Sequence, residues 1–247
     1  MLARFGLAGG GLAVIGLIIV LIMAGNGTFG DSKGGPGIFA DEEEPPAEGP
    51  PLAQMCPPPT AVPDDKYAEP PPPPPGPRTV DEEAGISYAA YGDPWEPWTD
   101  DWSGGDLEVH YRVGQHFITE TYSGGTYHAS ILSGSVPATV NDGFTLNLTC
   151  VGQQVVADVR RSYYPQPNRS EEIRSEETTL GGRRAWVSVF RLHFSEPGLK
   201  AKDELVGVAV IDVGRIEAAV LYVSIPGTHR QYDYVVEEVI ESVRPVE

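Results

Sequence analysis

The chain has 247 residues, of which 35 are acidic and 17 basic, giving a formal net charge of −18. An excess of carboxylates this large excludes nucleic acid as a partner, because contact with phosphates needs a basic face and no Lys/Arg cluster longer than Arg160-Arg161 or Arg183-Arg184 occurs. An acidic surface favours solubility and cationic partners but selects none of them.

The first predicted element is an uncharged apolar run of 21 residues, Phe5 to Gly25, with Arg4 before it and no charge after it until Asp31. As a helix it would be about 30 Å long, the thickness of a bilayer's hydrocarbon core. The rival reading is a cleaved signal peptide, whose apolar region is only about 7–15 residues. The length favours an uncleaved transmembrane helix over 5–25. Arg4 and the α-amino group place residues 1–4 in the cytoplasm and the rest outside the plasma membrane. Gly6 and Gly10 form a GxxxG pair that could pack two such helices into a weak homodimer; glycine as plain filler is the other reading. The stretch LAQMC ending at Cys56 is not a lipobox, since Met55 precedes the cysteine and the apolar run lies far upstream.

Residues 26–79 hold 16 of the chain's 24 prolines, including the unbroken run Pro70 to Pro75, with acidic pairs between them. Such a segment buries too little apolar surface to offset its ordering entropy, which predicts a disordered linker acting as a spacer. From residue 80 the composition changes, and the remaining 168 residues suffice for one domain, itself acidic with 26 acidic and 13 basic side chains.

Within 80–247, alternation predicts strands over Ile86–Tyr91, Leu107–Val113, Gln115–Tyr122 and Tyr127–Leu132, with a turn at Gly124-Gly125. Between the first two lies an aromatic loop, Trp95 to Trp102. Phe144, Leu148, Val151, Val155 and Val159 recur at helical spacing, predicting a helix from an Asn141 or Asp142 cap to about Tyr163. A hairpin follows, Glu172–Thr179 and Arg183–Phe194 about Gly181-Gly182, with Trp186, Phe190, Leu192 and Phe194 on one face. Glu204–Val213 and Ile216–Ile225 are apolar on both faces, the mark of central strands covered on both sides. Tyr232, Val235, Val236, Val239, Ile240 and Val243 mark a terminal helix, with Thr228 and Gln231 as a capping box and Pro245 as its stop. The expected fold is α+β, an antiparallel sheet sandwiched by helices.

The hairpin Gly181-Gly-Arg-Arg-Ala-Trp-Val-Ser-Val-Phe, the two long strands after it, and Val220-Leu-Tyr-Val-Ser-Ile-Pro-Gly-Thr-His before a short terminal helix resemble the Mog1/PsbP-like fold over roughly residues 84–247. They look like its extracytoplasmic, LpqN-like versions in actinobacterial membrane proteins. That superfamily holds binding and assembly modules with different partners and no shared catalytic motif, so the resemblance implies a fold and carries over no functional residue.

No GxSxG elbow, P-loop, HExxH or dinucleotide GxGxxG occurs in the chain, which removes most hydrolase and nucleotide-dependent readings. The five histidines, His110, His116, His128, His193 and His229, are scattered singly and offer no metal-ligand spacing, though neighbouring strands could pair two of them. Trp95, Trp98 and Trp102 lie among carboxylates that include Asp100 and Asp101. Indoles beside acids could stack on a sugar or lipid headgroup, or fold back as a lid over the core. Cys56 and Cys150 both fall on the outer side, where a disulfide can persist; Cys150 is expected to face outward from its helix, and free thiols or cross-links between chains compete with a bridge. The Asn-x-Ser/Thr triplets at Asn26, Asn147 and Asn168 are read as chance.

The expected protein is thus a non-enzymatic, single-pass module of the cell envelope that uses no cofactor or metal and binds another envelope protein. Two alternatives stay open: an envelope enzyme built on Trp98 and Asp100/Asp101, and a carrier of lipid or sugar with its site near the Trp95–Trp102 loop or under the predicted helix ending at Tyr163.

Overall fold

The computed structural model describes residues 51–56, 69–136 and 147–246. Among them no helix is long and apolar enough to cross a membrane; the run 5–25, with Gly6 and Gly10, lies outside the described residues.

The domain is an α+β fold built on one eight-stranded antiparallel sheet. Its strands are β3 (Glu96–Trp98), β4 (Trp102–Gly104), β5 (Val109–Tyr122), β6 (Gly125–Val136), β7 (Arg169–Leu180), β8 (Arg183–His193), β9 (Asp203–Ile211) and β10 (Ala218–Pro226). The order across the sheet is β3-β5-β6-β10-β9-β8-β7, with β4 also paired to β5. A second, three-stranded sheet joins β1 (Arg78–Asp81), β2 (Ile86–Ala89) and β11 (Arg244–Pro245).

The alternation of β9 is what divides the interior in two. Val206, Val208 and Val210 enter a first core with Trp186, Phe190, Leu192, Val220 and Tyr222. Helix α2 (Leu148–Ser162) covers this face with Leu148, Val151, Val155 and Val159. Leu205, Ala209 and Ile211 point the other way, into a second core with Leu221, Val223 and Ile225. Helix α3 (Tyr234–Glu241) closes that side with Val235, Val236, Val239 and Ile240, beside Ile86 and Tyr88 of β2. A strand buried on both faces loses its polar alternation, which is why β9 and β10 read as continuous apolar runs.

The helices depart from expectation at their starts. Asn147, not Asn141 or Asp142, caps α2, its side chain accepting from the Cys150 backbone N–H at 3.2 Å; Phe144 and both expected caps lie outside the described residues. The Thr228/Gln231 capping box does not form: the chain enters α3 through a 3₁₀ turn over Gly227–Tyr232, and Thr228 Oγ1 pairs with His229 Nδ1 at 3.0 Å. The two strands expected on either side of Gly114 are one fourteen-residue strand, β5.

Asp158 falls on the buried stripe of α2 and is 2% exposed. Its carboxylate accepts from the Asp106 and Leu107 backbone N–H groups, both at 3.0 Å, from Ser162 Oγ at 2.9 Å and from Arg161 Nη2 at 3.1 Å. The helix therefore grips the turn between β4 and β5. Gly105 in that turn has φ +74°, and a Cβ there would fall inside the Asp158 carboxylate, so only glycine fits.

Two pieces of the expected linker are folded. Residues Pro51–Met55 form a short helix, α1, that packs on α2 and sends Leu52 into the first core, followed by the buried Cys56. Cys56 is joined to Cys150 by a disulfide, with Cα atoms 5.6 Å apart and a sequence separation of 94. Cys150, expected to face outward, is half-buried against the first core. In the proline tract, Arg244 Nε donates to the Pro71 carbonyl at 3.1 Å and the Pro72 carbonyl at 3.4 Å. At the far margin of the sheet β7 is an edge strand, with Glu171, Glu172, Glu176 and Glu177 all exposed.

Candidate functional site

The aromatic segment from 95 to 104 is a broken edge strand rather than a loop. β3 and β4 run along the same side of β5, with Glu96 opposite His116, Trp98 opposite Gly114 and Trp102 opposite Tyr111. Asp100 and Asp101 sit in the break. Residues four apart on a strand share a face, and residues three apart do not. Trp98 and Trp102 accordingly turn to the first core, and Trp95 to the second.

The three indoles therefore do not form one platform. Trp95, 6% exposed, meets Phe117 edge-on at 4.8 Å and Tyr232 at 6.2 Å. Trp98 stands edge-on to His116 at 5.2 Å. Trp102 stacks on Tyr111 at 5.2 Å and touches Tyr163 at 4.8 Å. Each indole packs as a wall of the core. Asp101 is exposed and lies 3.4 Å from Arg112 Nε, whose guanidinium also holds Glu83 at 2.6 Å. Truncation of Trp98 or Trp102 to alanine is expected to cost about 2 kcal/mol each, roughly half the cost for a fully buried ring. Thermal unfolding should shift down by roughly 4–8 °C; an unchanged midpoint would show that these rings are not structural.

Beside Trp98, β5 and β6 bring His116 and His128 to 5.3 Å between ring centroids. Trp98 Nε1, His116 Nδ1 and His128 Nδ1 are all buried without a hydrogen-bond partner among the described residues. His128 Nε2 meets Thr126 Oγ1 at 2.9 Å. Burial, then the neighbouring His116, holds His128 below the ordinary imidazole range, against the opposing pull of Asp100. Among the described residues no group of three or more His, Cys, Asp or Glu side chains could hold a metal.

The strongest electrostatic feature is one that the sequence does not announce. Glu204, at the start of β9, is 2% exposed. It accepts a hydrogen bond from the Tyr127 hydroxyl and also bonds with Ser224 and Tyr164, while Tyr164 and Tyr222 share a hydrogen bond of 2.6 Å. Burial pushes the Glu204 carboxyl up to about 7, the hydrogen bonds opposing it. Burial and the Glu204 charge drive the Tyr127 and Tyr164 hydroxyls well above the ordinary phenol range.

A carboxyl raised in the folded state stabilises the fold while protonated. Its contribution is whole below the unfolded-state value of 4.5 and is lost as pH rises through about 7. Glu204→Gln keeps the shape and removes the titration. Urea unfolding of wild type and variant at pH 5 and pH 8 should show the difference between them changing by roughly 3 kcal/mol, in the variant's favour at the higher pH. Parallel pH profiles for the two proteins would show that Glu204 is ionised in the fold.

The space between the sheet and α2 is filled. Gly152 lies so close to the Trp186 ring that a Cβ would collide with it, so no ligand fits beneath the helix at this point. The site residues divide into a half-buried aromatic and imidazole edge, a closed tyrosine–glutamate network, and the disulfide.

No protein-family model and no curated protein sequence matches the chain. Among solved structures it is similar to the solution structure of cyanobacterial PsbP (CyanoP) from Synechocystis sp. PCC 6803, with 16% identity and a TM-score of 0.43, over 68% of this chain and 91% of that chain. A likeness of that score carries no argument about function. In outline the chain is an antiparallel, sheet-rich α+β fold resembling PsbP.

Proposed function

We infer that this chain is a single-pass plasma-membrane protein, cytoplasmic at its N-terminus, whose Mog1/PsbP-like domain stands outside the membrane and binds another protein of the cell envelope without performing chemistry. The observation that carries this reading is the order of the chain: a 21-residue uncharged run, a proline-rich acidic segment, then one folded domain. The sequence's resemblance to actinobacterial envelope proteins points the same way. Support for binding over catalysis comes from the candidate groups themselves. The tryptophans serve as core, Asp101 is engaged by Arg112, and Glu204 is sealed among tyrosines.

The test is made in native membranes. The chain should remain after alkaline carbonate washing, its domain should be digested by protease added from outside only, and crosslinking with mass spectrometry should converge on one envelope protein. Release by carbonate would overturn the anchor. Recovery of a lipid or sugar in place of a protein would overturn the choice of partner.

A further inference from the structure

The proline run reaches the domain just before β1, and every residue from Glu69 to Pro77 is exposed. A proline ring fixes φ near about −65°, and a residue that precedes proline is kept out of the helical region, so Pro70–Pro75 hold the polyproline II form locally. Two turns of that helix make a rod roughly 19 Å long. The domain grips the rod near its start and just past its end. Arg244 Nε donates to the Pro71 carbonyl at 3.1 Å and the Pro72 carbonyl at 3.4 Å, and the Ala90 backbone N–H donates to the Pro77 carbonyl at 3.0 Å.

The chemistry of the rod restricts what can cover it. Its prolines carry no N–H, so it offers only ring methylenes and carbonyl acceptors and cannot be taken up as a strand of another sheet. A complement must supply flat apolar slots together with N–H or O–H donors, which tryptophan and tyrosine do. A second copy of this chain does not fit that requirement. Trp95, Trp98 and Trp102 turn to its cores, and Tyr234 is the sole exposed aromatic ring among the described residues. The surroundings of the rod are acidic: Glu69 precedes it, and Glu241, whose carbonyl Arg244 also holds at 3.2 Å, is exposed as well.

We propose that the Pro70–Pro75 rod is the surface by which this domain takes hold of its envelope partner, and that the partner presents a groove lined with tryptophan or tyrosine and rimmed by basic residues. The proposal rests on the reading that the domain binds another protein. A rod already ordered and already fixed to the domain loses little further chain entropy on binding. Recognition therefore falls on a segment that needs no rearrangement of the folded domain.

The experiment uses the full chain in native membranes, with the photo-crosslinking residue benzoylphenylalanine in place of Glu69 or, on the main sheet, in place of Ile118 or Ile173, which are 57% and 58% exposed. Light should join the Glu69 position to an envelope protein, at a peptide that contains tryptophan or tyrosine, and should join the other two positions far less. Pro72→Ala, Pro73→Ala and Pro74→Ala together should lower that yield by about ten- to a hundredfold, since each proline removed frees the unbound chain. These prolines are exposed, so the thermal midpoint of the triple variant should match wild type. Excess hexaproline peptide should compete the crosslink away, and a Gly/Ser peptide of the same length should not. A yield that survives the substitutions or the hexaproline, or a crosslinked peptide without an aromatic residue, overturns the rod as the docking surface. A crosslink from Ile118 or Ile173 that equals or exceeds the one from Glu69 also overturns it and leaves the binding reading in place. No protein joined at any of the three positions overturns both.

Discussion

Replacing Cys56 and Cys150 with serine is expected to lower the stability of the domain by roughly 4 kcal/mol. The bridge joins residues 94 apart, and a cross-link over a loop of that length removes a large share of the unfolded chain's conformational freedom. A second contribution acts in the folded state. Cys56 is fully buried beside Leu52, and without the bridge Leu52 remains as the apolar anchor of α1 in the first core. Urea unfolding of the double variant, and of wild type with and without a dithiol reductant, measures the effect. The reduced wild type and the variant should agree with each other. Equal midpoints for oxidised and reduced protein would mean that α1 contributes nothing to the domain. Non-reducing gels would already show whether the two thiols are free.

Asp158→Ala should be comparably damaging, at about 3–5 kcal/mol. The carboxylate takes four hydrogen bonds, and removing it leaves the Asp106 and Leu107 amides without their acceptor in a place water reaches poorly. The loss falls on the contact between α2 and the β4–β5 turn, within which Glu108 has a positive φ of 54°. Asp158→Asn should lie between wild type and alanine, because its amide would present N–H to one of the two backbone donors. A loss under about 0.5 kcal/mol for the alanine variant, within the range of an exposed substitution, would show that the turn stands without the carboxylate.

The parts of the fold that were legible in the sequence are those governed by periodicity. β9 and β10 declared burial on both faces, and α3 declared its stripe from Val235 to Ile240. The Trp segment was expected as a loop, open to a stacking or a lid reading, because three indoles in eight residues look like one cluster, whereas its extended backbone sends Trp95 to one core and Trp98 and Trp102 to the other. Strand parity could have been counted once the segment was taken as extended. Asp158 was also within reach, since it sits three residues after Val155 on the apolar stripe of α2. A carboxylate on a buried stripe signals a specific acceptor role. Glu204 gave no such sign. A glutamate at the start of a strand reads as solvent-facing, and only the tertiary approach of Tyr127 and Tyr164 reveals its burial. Folding of residues 51–56 was hidden by the composition around it, where proline and acid dominate and one leucine and one cysteine are the sole apolar anchors.

The outer strand β7 has a bearing on how many copies could share one surface. Among the described residues no strand pairs with the outer side of its twelve residues, the kind of edge on which sheets join side to side. Glu171, Glu172, Glu176 and Glu177 punctuate that edge, and two copies meeting edge to edge would bring like charges into register. On the proposed membrane-anchor reading, chains tethered to a common membrane would meet at high local concentration, where even weak edge pairing would zip them into ribbons. The glutamates make such neighbours repel, so that a crowded layer of these domains would stay a layer of separate molecules.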